Sequence, residues 1–304
     1  MPAPEPSAIS SSTLPPHAEF DEQAYLQLHP DIARGVAAGR IESGWSHFAR
    51  AGFAEGRAWL RQPDPFAGVN REISSGDTMF RGNAAHYFAA GASARQCVFS
   101  ALATGRRAPA AVRRILDLPS GHGRVLRFLR RDFPAAEIVA CDLDRAGVDY
   151  CARTFGAVPV YSDVNLAALT ALGQFDLIWC GSLLTHLDAT RSAEFLRFFQ
   201  QHLAPRGILV FTLHGRPCQR ELAAGKNRHG LDDAQIATLL RDYDASGCAY
   251  VDYRDASGYG FSLMHPHFVT RTLLDPGWQL LSYHEAGWDE RQDAIALQLN
   301  TPLT

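Results

Sequence analysis

Three carboxylates in this chain stand at one kind of place, the end of an apolar run. Asp117 closes Arg114-Ile115-Leu116 and is followed by Leu118-Pro119-Ser120-Gly121-His122-Gly123-Arg124. Asp142 closes Ile138-Val139-Ala140-Cys141, and Asp163 follows Val158-Pro159-Val160-Tyr161-Ser162. Gly121 and Gly123 lack a Cβ, so a ligand can approach the backbone closely, and the helix start beyond them offers unpaired N–H donors. Asp117 has the charge to pair with a ligand ammonium. Asp142 could accept two hydrogen bonds from ribose hydroxyls, since Asp144 is free to cap the helix that follows. Asp163 could accept from an adenine amino group, with Val164 beside the ring. A dinucleotide site is the competing reading. Its fingerprint has a third glycine where this chain has Leu126, and it needs no acid where Asp117 stands.

Positioning three acids around one glycine turn requires parallel strands, and the hydrophobic pattern supplies them. RRILDL, EIVACDL, VPVYSDV, FDLIWCGSLL and GILVFTLHG read as strands. They alternate with helices in GRVLRFLRRDF, in AGVDYCARTFG ended by Gly156, and in SAEFLRFFQQHLAPRG stopped by Pro205 and Gly207. A further helix is predicted over Ala84–Leu102. This β-α-β-α order predicts an α/β fold, a doubly wound sheet of seven strands with its ligand crevice at the carboxyl ends. WQLLSYHEAGW and RQDAIALQLN, joined at Asp289-Glu290, can pair only antiparallel and would be the last two strands.

Composition narrows the function. The 304 residues carry a formal net charge of -3, which argues against a nucleic-acid binder. Residues 1–16 lack a basic start and an apolar stretch and read as a disordered tail rather than a secretory signal. No apolar run reaches the roughly 20 residues of a membrane span. Six cysteines without a CxxC pair fit a reduced, cytoplasmic protein. Residues 17–62 read as a small module of two or three helices, with Pro30 and Asp31 starting one of them, and 63–77 as a linker. Residues 78–300 form the main domain, within which 216–275 are expected to be a substrate lid, with helices around Asp232–Tyr243 and His267–Leu274.

These motifs resemble the class I S-adenosylmethionine-dependent methyltransferases, and the resemblance runs over roughly residues 80–298. The family's first motif, acid-x-Gly-x-Gly-x-Gly, appears as DLPSGHG: Asp117, Gly121 and Gly123 match, and Pro119 replaces the first glycine. The resemblance implies S-adenosylmethionine as cofactor. It makes Asp142 the ribose acid, Leu143 the apolar residue flanking adenine, and Asp163 the adenine-contacting acid. It sets Ser182, at the end of FDLIWCGSLLTHLD, beside the methionine and the methyl acceptor. The family's N-terminal helix often closes over the cofactor, which implies contact from Tyr87. The closing hairpin, Trp278 to Asn300, fits the family's last strands. The 17–62 module, with YLxxxPDIxxxVxxG and HFxxxGxxEGR, is similar to short helical modules of bacterial proteins linked to glycan synthesis, and residues 17–60 are a candidate protein-partner surface.

Oxygen with a high pKa methylates faster when a base takes its proton. His186 in SLLTHLD is the first candidate, His214 in FTLHGR the second and Asp289 the third. His122 is expected to shape the glycine turn. His265 and His267 lack a third partner at metal-like spacing and read as caps. Tyr250, Tyr253, Tyr259, Phe261 and Trp288 could face a sugar or another ring-shaped acceptor, or form a small core. The expected activity is methyl transfer to a small molecule or glycan, at oxygen. The alternatives are a non-catalytic S-adenosylmethionine-binding or interaction protein on the same fold, and an NAD-dependent oxidoreductase.

Overall fold

The computed structural model describes residues 14, 17, 20–55, 57, 66–169, 172–254 and 256–300. The expected tail falls outside the described residues except for Leu14, as do 58–62 of the expected module and 63–65 of the expected linker. The chain divides into two compact units, residues 1–67 and 68–304.

In the first unit, short helices form where caps fix their starts. Helix α1 (Glu22–Leu28) is capped by Asp21, and α2 (Pro30–Ala37) begins on Pro30, whose missing N–H costs nothing at that position. Helix α3 (Gly44–His47) leads into a π-turn at Phe48–Gly52. The Glu22 carboxylate accepts from Gly44 N (2.6 Å) and Trp45 N (2.9 Å), joining α1 to α3. Tyr25, Ile32 and Phe48 form a core with Phe20, Val36, Ile41, Trp45 and Phe53 packed around it.

The second unit is built on a seven-stranded sheet. In chain order the strands are β1 (Arg114–Asp117), β2 (Glu137–Asp142), β3 (Val158–Tyr161), β4 (Phe175–Cys180), β5 (Leu203–Leu213), β8 (Trp278–Trp288) and β9 (Gln292–Leu299). The remaining two, β6 (Cys248–Tyr253) and β7 (Ala256–Met264), pair antiparallel in a separate small sheet. The main order is β3-β2-β1-β4-β5-β9-β8. All neighbours are parallel except those of β9, which runs against β5 and β8. The order reverses between β1 and β4, so the crevice outside their carboxyl ends is the switch point where such sheets bind ligands.

Period-two alternation sends side chains to two cores. Ile115, Ile138, Leu177, Trp179 and Val210 face helices α4 (Ala84–Thr104), α5 (Leu126–Asp132) and α6 (Arg145–Phe155). Leu116, Val139, Ile178, Cys180 and Leu209 face α7 (Ala189–His202) and the turn at Val269–Leu273. Helix α7 ends at His202, and β5 already runs through Pro205 and Gly207, which were expected to terminate the helix. Pro205 is tolerated there because Phe175 pairs with Leu203 and the β4–β5 ladder resumes only at Leu177 and Ile208, past Pro205. The segment 216–275 contains helices α8 (Arg216–Ala223) and α9 (Asp233–Ser246) and the β6–β7 hairpin, a sheet not anticipated from sequence.

The register of β1 against β4 rests partly on Asp176. Its carboxylate accepts from Arg113 N (2.7 Å) and Arg114 N (3.0 Å) and pairs with Arg107. Asp176→Ala should therefore lower unfolding free energy by about 1–3 kcal/mol, read as a lower urea midpoint with unchanged slope. An unaltered midpoint would remove Asp176 from this role.

Candidate active site

A cavity of about 560 Å³ opens at the switch point, within the range of roughly 300–1,000 Å³ typical of ligand pockets. It is lined by the β1 end (Asp117–Pro119), the glycine turn, the β2 end (Asp142–Asp144), Ser162–Val164 and the β4 end with Ser182. The three strand-end acids are thus brought to one cavity, with Pro119, Gly121, Leu143, Val164 and Ser182. Gly123 is not on the wall; it shapes the turn behind it.

The glycine turn depends on both glycines. Gly121 has φ 49° and a Cβ there would meet nothing within 4 Å, so space beside it is open to a ligand. Gly123 has φ 79°, and a Cβ would lie 2.5 Å from the Phe155 ring. Asp142 holds the turn to β2: its carboxylate accepts from Gly121 N (2.7 Å) and from Asp144 N (2.9 Å). Although Asp144 caps the helix, Asp142 is not left free for a ligand as expected, but each of its oxygens keeps a second acceptor site. Asp144 does cap α6, accepting from Ala146 N and Gly147 N, and its other oxygen lies 3.0 Å from His122 Nε2. That contact fixes His122 within the turn. Asp163 is exposed and accepts from Asn165 N (2.7 Å), a local turn that leaves its second oxygen available.

Asp117 is the unusual member. It is 1% exposed, and neither carboxylate oxygen has a hydrogen-bond partner. Burial, and secondarily the nearby charge of Asp142, push its pKa well above the usual carboxylate range. Ser120 Oγ beside it is also buried and unpartnered. On the same cavity wall Arg124 lies with its guanidinium 5.4 Å from the Trp288 ring centre, and burial lowers its pKa. A zwitterionic amino-acid tail would supply an ammonium for the first and a carboxylate for the second. Large apolar side chains are exposed into the same space, Leu143 at 60% and Val164 at 69%, as a flat ring ligand would require. These features fit an adenosyl group carrying an amino acid.

A strap precedes α4 and was missed at sequence level. Residues 68–83 form no helix or strand, yet Asp77, Thr78 and Met79 line the cavity. Arg127, 1% exposed, donates to the carbonyls of Asn70 (3.0 Å), Glu72 (2.8 Å) and Gly123 (2.9 Å). Tyr87 does not reach the cavity. Its hydroxyl donates to Asp77 Oδ2 (2.5 Å) and accepts from Arg127 (3.2 Å), so it holds the strap instead of touching a ligand. Its place on the buried face of α4 decides this. The signal available in sequence was an arginine on the apolar face of α5.

At the β4 end, Ser182 adopts φ 58°, a conformation rare outside glycine. A closed ring of bonds holds it there. Ser182 N donates to Thr212 Oγ1 (2.8 Å), Thr212 to Gln292 Oε1 (2.6 Å), and Gln292 Nε2 to Ser182 Oγ (3.1 Å).

Of the three candidate bases, only His186 lines the cavity. Its Nδ1 lies 2.9 Å from the Gly260 carbonyl and 3.3 Å from the Tyr253 hydroxyl; because a carbonyl only accepts, the shorter contact assigns the proton to Nδ1 and leaves Nε2 as the acceptor nitrogen. Burial lowers its pKa. His214 is buried behind it, stacked on Phe261 at 4.4 Å, and desolvation with His229 and His186 nearby keeps it well below the usual range. Asp289 lies in the β8–β9 turn, where its N–H donates to Ser93 Oγ (2.9 Å) and its carboxylate is 3.5 Å from His86. Neither lines the cavity: Phe261 of β7 stacks over His214, and Asp289 is turned toward His86 and Ser93 of α4. Of the lid aromatics Tyr259 lines the cavity, together with Trp288 from the hairpin, whereas Phe261 is core and Tyr250 bonds Asp252 (2.6 Å). His265 Nδ1 accepts from His267 N (3.1 Å), a cap.

The sign of the Asp117 shift makes a stability prediction. A carboxyl whose folded pKa is raised favours the fold below the unfolded value and loses that advantage as pH rises through the folded one. Asp117→Asn should thus raise the melting midpoint of the ligand-free protein at pH 7 by at least about 2 °C, with the gain shrinking toward pH 4. A lower midpoint at pH 7 would contradict the buried, partnerless carboxylate.

Residues 116–209 match the family described as "Methyltransferase domain". No curated protein matches the sequence. Among solved structures, the chain is similar to an S-adenosylmethionine-dependent methyltransferase from Clostridium acetobutylicum ATCC 824, at 15% identity and TM-score 0.48, covering 69% of this chain and 92% of that one. It is also similar to DesVI of Streptomyces venezuelae, at 13% identity and TM-score 0.47, covering 75% and 100%. A third is an O-methyltransferase family protein from Burkholderia thailandensis, at 16% identity and TM-score 0.45, covering 70% and 59%. The assignment rests on the family match, the sheet with its antiparallel β9, and the cavity that β1 and β2 build. Residues 116–209 thus carry a methyltransferase domain, set on an α/β sheet of the methyltransferase type.

Proposed function

We propose that the enzyme methylates oxygen on a small molecule or glycan, with His186 as the base. The observation that carries this reading is His186 on the cavity wall with Nδ1 2.9 Å from the Gly260 carbonyl, the pairing that assigns the ring proton to Nδ1 and leaves Nε2 as the basic nitrogen. S-adenosylmethionine, when bound, supplies a methyl group on a sulfonium that leaves as a neutral thioether. Asp117 holds the ammonium of the amino-acid tail and Arg124 its carboxylate. Asp142 holds the ribose, while Leu143 and Val164 flank the adenine and Asp163 accepts from its amino group. Pro119, Gly121 and Gly123 set the path of the turn, and Ser182 borders the acceptor. Tyr87 acts by positioning the strap. Residues 216–275 serve as the acceptor lid, bringing Ser257, Gly258 and Tyr259 to the cavity.

Catalysis then rests chiefly on positioning. Two reactants held in one closed site gain much of their rate from orientation, and His186 adds proton removal. The methyl acceptor is the required partner. Residues 17–60, with a core of their own, suit a separate protein contact. Six free cysteines suit the reducing cytoplasm, and no described helix is long and apolar enough to cross a membrane.

The experiment is to denature purified protein and measure released S-adenosylmethionine or S-adenosylhomocysteine by mass spectrometry, then to assay S-adenosylhomocysteine production on sugars, nucleotide sugars, lipids and phenols. Turnover on an oxygen acceptor supports the reading; turnover confined to amines would refute it. Asp142→Ala should weaken cofactor binding by about 1–3 kcal/mol, and wild-type affinity in calorimetry would remove its role.

A further inference from the structure

We propose that the acceptor is a phenol, its ring lying against Tyr259 and its hydroxyl meeting Nε2 of His186. The inference deepens the reading of His186 as base and rests on it. Three observations converge. The His186 and Tyr259 rings stack at 4.8 Å with an interplanar angle of 27°, and Tyr253 lies 5.9 Å from each. Tyr259 is nonetheless 45% exposed and lines the cavity, so one part of this aromatic platform is left uncovered. A flat ring can cover it in an offset stack.

The second observation is polar supply. Leu183 and Leu187, which bracket His186 in sequence, also line the cavity. The nearby cation, Arg191, is already engaged by Glu194 (2.7 Å) and by the Val164 carbonyl. Ser182 and Ser257 add two hydroxyls, fewer than a sugar would bury against this wall, and each hydroxyl left unpaired weakens binding. A phenol carries one hydroxyl, and His186 accepts it.

The third is acidity. Burial holds His186 below its ordinary pKa, and proton transfer becomes steeply unfavourable as donor and acceptor pKa diverge. A phenol resembles tyrosine at about 10, whereas an aliphatic hydroxyl is far less acidic and lies nearer bulk water. In the reaction the phenol proton passes to Nε2 and the oxygen pair forms the new bond to the methyl carbon. The carbon–sulfur pair returns to sulfur, so charge and atoms balance.

The test uses full-length protein saturated with S-adenosylhomocysteine and titrated with p-nitrophenol, followed by its absorbance shift, with UDP-glucose titrated in parallel by calorimetry. The expected result is p-nitrophenol binding at least about tenfold tighter than UDP-glucose, weakened at least about fivefold by Tyr259→Ala. Para-substituted phenols should also exceed UDP-glucose in kcat/KM, and His186→Gln should lower kcat more than it changes KM. Absent or weaker p-nitrophenol binding, or preferential turnover of the sugar, overturns the inference. If S-adenosylhomocysteine still binds in that case, the methyltransferase assignment stands; loss of its binding would be a failure of that broader reading.

Discussion

A carboxyl group sealed from water with nothing to bond is expensive, and the site is organised around one. Asp117 could be made harmless by a neighbouring donor or by Asn, yet both its oxygens are buried without a partner in a residue that lines the cavity. Charge in such a place is stabilised by a cation that arrives with the ligand. In the proposed site, the cost in the ligand-free protein would become selectivity for a tail carrying an ammonium. The buried position follows directly from β1, a central strand whose neighbours β2 and β4 cover both edges.

Around that charge, backbone and side chains are fixed by bonds that would be superfluous in a simple core. Asp142 ties the glycine turn to the neighbouring strand while still facing the cavity. Arg127 anchors the strap through carbonyl groups, and Tyr87 passes that anchorage to Asp77. Thr212 and Gln292 keep Ser182 in a conformation that its own side chain disfavours. Local strain of this kind persists only where surrounding contacts over-determine it. Rigid positioning is what a transfer reaction with little need for covalent catalysis would select.

Much of this was legible in sequence because it depends on local periodicity. The strand-end acids, the seven-stranded sheet and the terminal hairpin follow from alternating apolar runs and from glycine placement. Contacts between distant segments were not legible. Tyr87 and Asp77 are ten residues apart, and only the packing of α4 against α5 reveals that they bond each other near Arg127. His214 and His186 look equivalent as strand-end histidines, yet β7 covers the first and leaves the second at the wall. The β6–β7 hairpin carried a turn signal in Asp255-Ala256-Ser257-Gly258, but the tyrosine-rich runs on either side read equally well as irregular lid.

The most direct measurement of the central claim is the proton balance of cofactor binding. Calorimetric titration of S-adenosylhomocysteine in two buffers of different ionisation heat, between about pH 5 and pH 7, reports protons exchanged. A buried Asp117 that ionises when it meets the ligand ammonium predicts net proton release in the wild type and its loss in Asp117→Asn. Identical heats in both buffers across that range, with tight binding, would contradict it.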